Sequence, residues 1–104
     1  SYRAYCRKYG DEKGDEIIDM MKDVVAENLL KIETMAMLDA DTIVSVVEKS
    51  NYKIKSESII NMFRNRIREY YTKEDLERGY MESTNKHGEK RKYSLIDICS
   101  ESVV

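Results

Sequence analysis

The stretch Leu38–Ile67 constrains the fold more than any other part of the chain. Its apolar residues recur at gaps of three and four in two blocks. Ile43, Val46 and Val47 follow Asp39, a short acceptor side chain suited to capping free helical N–H groups. Ile59, Ile60, Phe63 and Ile67 follow Ser56, with Glu57 in the first turn, where a helix dipole favours an anion. The spacing predicts a helix from about Asp39, a short polar hinge over Ser50–Lys55 and a second helix from Ser56, with Tyr52 and Ile54 reaching back into the core.

Similar periodicity extends upstream. Tyr2, Tyr5, Cys6 and Tyr9 share one face of a predicted short helix over Ser1–Tyr9, and Gly10 ends it. The GDEKG run from Gly10 to Gly14 reads as a turn. Asp15 is a candidate cap for a longer helix whose broad apolar face carries Ile17, Ile18, Met20, Met21, Val24, Val25, Leu29 and Ile32. Glu33–Met37 reads as a helical turn. Downstream, Thr72 stands three residues before Asp75, a partial capping pattern for a short helix with Leu76 and Tyr80 on its buried side, weakened by Gly79. Glu82–Lys92 contains no apolar residue and is expected to be an exposed basic loop, the boundary set at residues 82–93. Ser94 opens either a final helical turn or a short strand through Leu95, Ile96, Ile98 and Cys99, and the last residues, SESVV, are expected to fray. The chain contains no proline, which suits a compact set of helices joined by short turns. The expected architecture is all-α: a single small bundle of five to six helices built from helix hairpins.

With 104 residues, one core is expected, and a net charge of −2 exerts no general pull toward nucleic acid or anionic membrane. No apolar run approaches the roughly 20 residues that span a bilayer, and the N-terminus lacks the apolar segment of a signal peptide, so an intracellular location, cytoplasmic or nuclear, is expected. Because the chain opens without Met and within a helical pattern, we expect a piece of a longer protein. Cys6 and Cys99 have no spacing that suggests a metal or redox motif and read as reduced thiols.

The order of leucine, polar cap, helix ending near serine, a hydrophobic residue two positions before Ser-Glu and then a second amphipathic helix resembles the BACK domain. That helical region follows the BTB domain in BTB-Kelch and related proteins. Leu38, Ile43, Val46, Val47, Ser50, Ile54, Ser56, Glu57, Ile60 and Phe63 carry the resemblance, and Asp15–Ile32 with Asn28 before Leu29 and Leu30 extends it. Ile67 stands where Kelch-type members often have Trp. The resemblance implies a helical spacer, an adjacent BTB domain, a possible homodimer through the parent protein, and a role in a substrate adaptor for a cullin-type ubiquitin ligase. Tyr2–Ile32 would be the part nearest the cullin scaffold.

The chemistry expected from the residues is non-catalytic. His87, the single histidine, lies in the basic loop without fixed companions, the carboxylates near Asp11 and Asp15 are explained by capping and solvation, and neither cofactor nor metal is expected. A protein–protein interaction and positioning domain is favoured, with Tyr2, Tyr5 and Tyr9 as interface candidates because tyrosine suits surfaces that are apolar and wet at once, and Arg64 and Arg68 as a charged pair four residues apart. Leu38, Asp39, Ile54, Ser56, Glu57 and Phe63 are expected to be structural. Two rivals remain open: a homotypic helical signalling or host-factor-binding domain, death-fold-like or a viral mimic, and a nucleic-acid-binding bundle using Arg64, Arg68, Arg91 and Lys92.

Overall fold

The computed structural model describes residues 2–102. Helix α1 (Tyr2–Tyr9) is followed directly by α2 (Asp11–Glu27), then by the antiparallel hairpin β1 (Thr34–Asp39) and β2 (Thr42–Val46). A 3-10 turn, Lys49–Asn51, leads into α3 (Tyr52–Arg66), which tightens into a second 3-10 turn, Ile67–Tyr70. Helix α4 (Lys73–Arg78) then precedes a second hairpin, β3 (Tyr80–Thr84) and β4 (Lys90–Ser94). Helices hold 52% of the residues and two small antiparallel sheets 21%, so the fold is mixed and the expected all-α bundle is overturned.

The largest departure is in the organising stretch. The helix expected from Asp39 is a β-hairpin: Thr34 pairs with Val46, Ala36 with Val44 and Met37 with Ile43, and Asp39–Thr42 closes a two-residue turn at Ala40 and Asp41. Six consecutive residues, Thr42–Val47, include five that are β-branched; branching stiffens the side chain against a helix but suits a pleated strand. The helical turn expected over Glu33–Met37 is lost to β1 for the same reason, since only an extended chain can pair with β2. Ser56 lies inside α3 and does not cap it; the helix begins at Tyr52, within the segment expected to be a hinge.

Other boundaries also move. Asp15 is interior to α2, which starts at Asp11 directly after Gly10, whose φ of 99° reverses the chain between α1 and α2. Gly14, expected in a turn, lies in α2 where α1 crosses closely, and a side chain there would meet the Cys6 sulfur. The expected basic loop 82–93 is mostly a hairpin. Tyr80–Thr84 pairs in register with Lys90–Ser94, and Asn85 closes the connection by accepting the His87 and Glu89 N–H groups on its Oδ1 at 2.8 and 3.0 Å. Residues 95–102 form no helix or strand. Ser1, Val103 and Val104 lie outside the described residues, so the expected first helical residue and the last part of the frayed tail do too.

The core sits where α1, α2, the end of α3 and β3 meet. Ile17, Met20, Met21 and Val24 present the apolar face of α2 to Ala4 and Tyr5 of α1, Phe63 and Ile67, Tyr71 and Met81. Leu95, Ile96 and Ile98 pack over it from the C-terminal segment. The molecule measures 45 × 26 × 23 Å along its principal axes. No helix is long and apolar enough to cross a membrane among the described residues.

Candidate protein interface

Each interface candidate on α1 turns inward. Tyr5 is fully buried and donates its hydroxyl to the Tyr70 carbonyl. Tyr9 stacks on Tyr5 with ring centroids 4.5 Å apart, and Tyr71 meets both rings edge-on at 5.2 and 5.7 Å. Tyr2 is half-buried beside Cys6, and its phenol is pushed up to about 12 by burial, with Cys6, Asp15 and Asp11 adding to the shift. Burial likewise holds Tyr5 above the ordinary phenol range and takes Tyr71 to about 12. The Tyr5, Tyr9 and Tyr71 rings serve the chain's own core, whereas Tyr2 stays at its edge.

Asp75 anchors the same region. Thr72 caps α4 as expected, its Oγ1 accepting the Asp75 N–H at 3.3 Å, and Gly79 ends the helix in the left-handed conformation, φ 76°. The Asp75 carboxylate is wholly buried and accepts hydrogen bonds from Lys8 Nζ at 2.7 Å, the Tyr9 hydroxyl and the Arg78 guanidinium. Burial pushes this carboxyl upward, but the three donors outweigh it and hold it below the usual aspartate range. Two further bonds fix α1 to β3: Ser83 Oγ to the Ala4 carbonyl at 2.6 Å and Arg7 Nε to the Thr84 carbonyl at 2.5 Å.

Of the charged candidates, Arg64 makes a bidentate pair with Asp97, both distances 2.9 Å, and so tethers the C-terminal segment to α3. Arg68 is exposed but lies in the 3-10 turn after α3 ends, which takes it off the helical stripe that its spacing from Arg64 suggests. Arg66, between them, pairs with Glu27 at 2.7 Å. On β4, Arg91 pairs with Glu89 at 3.0 Å, Lys92 stands 5.1 Å from the Tyr80 ring centroid, and His87 is in the exposed turn. Among the described residues, Arg91 is the one cation of residues 86–92 held in an ion pair. Among the described residues, no group of three or more His, Cys, Asp or Glu is arranged to hold a metal ion.

The β1–β2 hairpin is different in kind. Every exposed large apolar side chain among the described residues falls between positions 30 and 54: Leu30, Ile32, Met35, Met37, Leu38, Val44, Val46 and Ile54. The register separates the two faces. Met35, Met37, Ile43 and Ser45 share the face from which Ile43 reaches the core, whereas Thr34, Ala36, Val44 and Val46 form the outward face, with Leu38 at a bulge beside the turn. Val46 and Leu38 are each 70% exposed. Neither strand makes an extensive contact with another element, and between Thr34 and Leu38 or Thr42 and Val47 there is no charged side chain. Such strands lack the lysines that blunt most exposed sheet edges.

Glu33 holds the base of this hairpin. Its side chain, 3% exposed, accepts the Leu30 N–H at 2.8 Å, the Glu48 N–H at 3.0 Å and the Lys55 ammonium. The Lys55 bond first, then the Leu30 N–H, lower its carboxyl to about 2. Ile54, expected in the core, is 72% exposed on the same turn of α3, whereas Phe63 is buried as expected; Ser56 bonds to Ser100, Glu57 is exposed, and Asp39 accepts the Asp41 N–H at 3.2 Å in the β-turn. The sequence carries a sign of this surface in the alternation of Met35, Met37 and the β-branched run, but not of Glu33, whose partners are 3, 15 and 22 residues away.

The exposed side chains amount to about four and a half fully exposed apolar residues. Full burial of one such residue is worth about 1.5–3 kcal/mol at ~25 cal/mol per Å², so this surface holds on the order of 300–550 Å² of apolar area. A standard-size interface has ~800 Å² per partner, of which roughly 450–500 Å² is apolar. No family model, curated protein or solved structure matches the chain.

Proposed function

We propose that this chain is a non-catalytic protein-interaction and positioning domain that docks through the β1–β2 hairpin. One observation carries the reading: the exposed large apolar side chains are gathered on one uncharged hairpin and its base, in an amount comparable to one side of a standard interface. Exposing this surface to water is unfavourable in an isolated monomer, and a partner that covers it recovers the hydrophobic free energy. Glu33, bonded to the Leu30 and Glu48 N–H groups and to Lys55 of α3, ties the base of the hairpin to the body of the chain.

The cullin scaffold and BTB domain implied by the resemblance are the first two proteins to present to this hairpin. Half of the resembling motif, Leu38–Val47, is a hairpin where the BACK pattern needs a helix, so the interaction reading stands apart from the ligase reading.

A photo-reactive phenylalanine analogue placed at Val46, with Lys73 on the exposed start of α4 as control, tests the proposal in cells that express the chain. Discrete protein adducts from position 46 that are competed by excess wild-type chain, but not by a Val46→Glu chain, are expected. Equal labelling from both positions, or none from position 46, would overturn it.

A further inference from the structure

The hairpin's charges point to a specific occupant. Its tip carries two exposed acids, Asp39 and Asp41, and its open end carries the exposed bases Lys31, Lys49 and Lys53. None of these five is in an ion pair among the described residues. At the open end, Glu33 and Lys55 neutralise each other, and two exposed acids stand near the three bases, Glu48 and, one helical turn from Lys53, Glu57. The hairpin is therefore an uncharged apolar rod, about 17 Å long at ~3.4 Å per residue, negative at one end and positive at the other.

We infer that the occupant is a second copy of this chain, bound face to face through Thr34, Ala36, Val44, Val46 and Leu38 about a two-fold axis that sets the two hairpins antiparallel. This inference rests on the proposed docking role of the hairpin and names the partner. A two-fold contact places the same patch on both sides, so a patch must complement itself. Antiparallel packing does so here twice over. Apolar face covers apolar face, at the roughly −30° angle that twisted sheets adopt when they stack, and each acidic tip lies over the partner's basic open end. A parallel arrangement would set acids on acids and bases on bases. The large apolar side chains exposed on this face, Leu38, Val44 and Val46, amount to about two fully exposed residues, on the order of 110–220 Å² per copy, a small apolar centre whose two ends are closed by the opposite charges.

Sedimentation equilibrium of the full chain, at concentrations up to about 1 mM, reads the assembly directly. Wild type is expected to be in monomer–dimer equilibrium, and Val46→Glu to weaken the dimer at least about 30-fold with unchanged far-UV circular dichroism. Because Val46→Glu could disturb the hairpin itself, a charge exchange provides a second arm. Asp41→Lys alone and Lys31→Glu/Lys49→Glu alone should each dimerise more weakly than wild type. An equimolar mixture of the two should form a heterodimer tighter than either homodimer, because one acidic tip again meets a basic open end and the other tip, neutral after Asp41→Lys, no longer faces a like charge. A wild type that stays monomeric throughout, or a dimer indifferent to Val46→Glu, or a mixture no tighter than its components, would overturn the two-fold arrangement. The docking role fails separately: photo-adducts from position 46 at the mass of a different protein keep it and exclude the second copy, whereas no adducts at all remove both.

Discussion

Replacing Asp75 with Asn probes the most deeply buried charge in the chain. The substitution keeps the side chain's volume in a fully buried site but removes the negative charge that faces Lys8 at 2.7 Å and Arg78. Hydrogen bonds to charged groups contribute about 1.5–3 kcal/mol each, so two lost partners set an upper limit near 6 kcal/mol. Both cations are partly exposed, 28% for Lys8 and 37% for Arg78, and can turn toward water, while the neutral amide is easier to bury than a carboxylate. Tyr9 retains an oxygen acceptor. The expected loss is therefore about 2–3 kcal/mol, a large share of the ~5–15 kcal/mol that holds a typical domain, and it lowers Tm by roughly 10–20 °C. Urea unfolding at neutral pH, followed by circular dichroism, should show a lower midpoint at unchanged slope. Lys8→Met, which leaves Arg78 and Tyr9 on the carboxylate, should lose less. A loss below about 0.5 kcal/mol for Asp75→Asn, or a larger loss for Lys8→Met, would refute the assignment of Asp75 as the tie between α1 and α4.

Acid should loosen both carboxylate anchors. Glu33, at about 2, and Asp75, below its usual range, are both depressed in the folded chain, so their contribution is full above the unfolded carboxylate range near pH ~4 and drains as pH falls through the folded values. Thermal melts from pH 7 down to 2 should show that decline, and Glu33→Gln should start lower at pH 7 but fall less steeply; parallel curves would exclude Glu33 as a contributor. Phe63→Ala should cost about 3–5 kcal/mol because its ring is 2% exposed, whereas Ile54→Ala, at 72% exposure, should stay within about 0.5 kcal/mol in the monomer. Equal effects in chemical denaturation would mean that the core is misplaced.

The parts of the fold legible in the sequence are those in which burial follows one period over many residues. Helix α2 shows this best: Ile17, Met20, Met21, Val24 and Val25 are all buried, as the spacing requires. Thr72 was legible too, because a cap is a local interaction three residues long. The hairpins were not. In β1–β2, Ile43, Val46 and Val47 satisfy helical gaps, whereas the hairpin sets Ile43 and Val46 on opposite faces, and only the density of β-branching speaks for a strand. In β3–β4 the inward residues are Met81, Ser83 and Tyr93; with so few, and one of them polar, the alternation is invisible. The α1 tyrosines read as surface because their amphipathic chemistry suits an interface, and an interface inside the same chain has the same composition as one between chains. The hairpin's role was missed with its structure, since apolar residues assigned to a helix face are by that assignment buried.

The position of α1 has a consequence for how the chain acquires its shape. Its partners lie far along the sequence: Tyr5 bonds to residue 70, Lys8 to residue 75, Ala4 to residue 83 and Arg7 to residue 84. Helix α1 is thus translated well before the segments that complete it, and closing such long loops is slow. The β1–β2 hairpin, by contrast, joins residues at most 12 apart and can form while the core is still open. On the ribosome, the sticky surface precedes the body that carries it, and for that interval the nascent chain is at its most exposed to association with its neighbours.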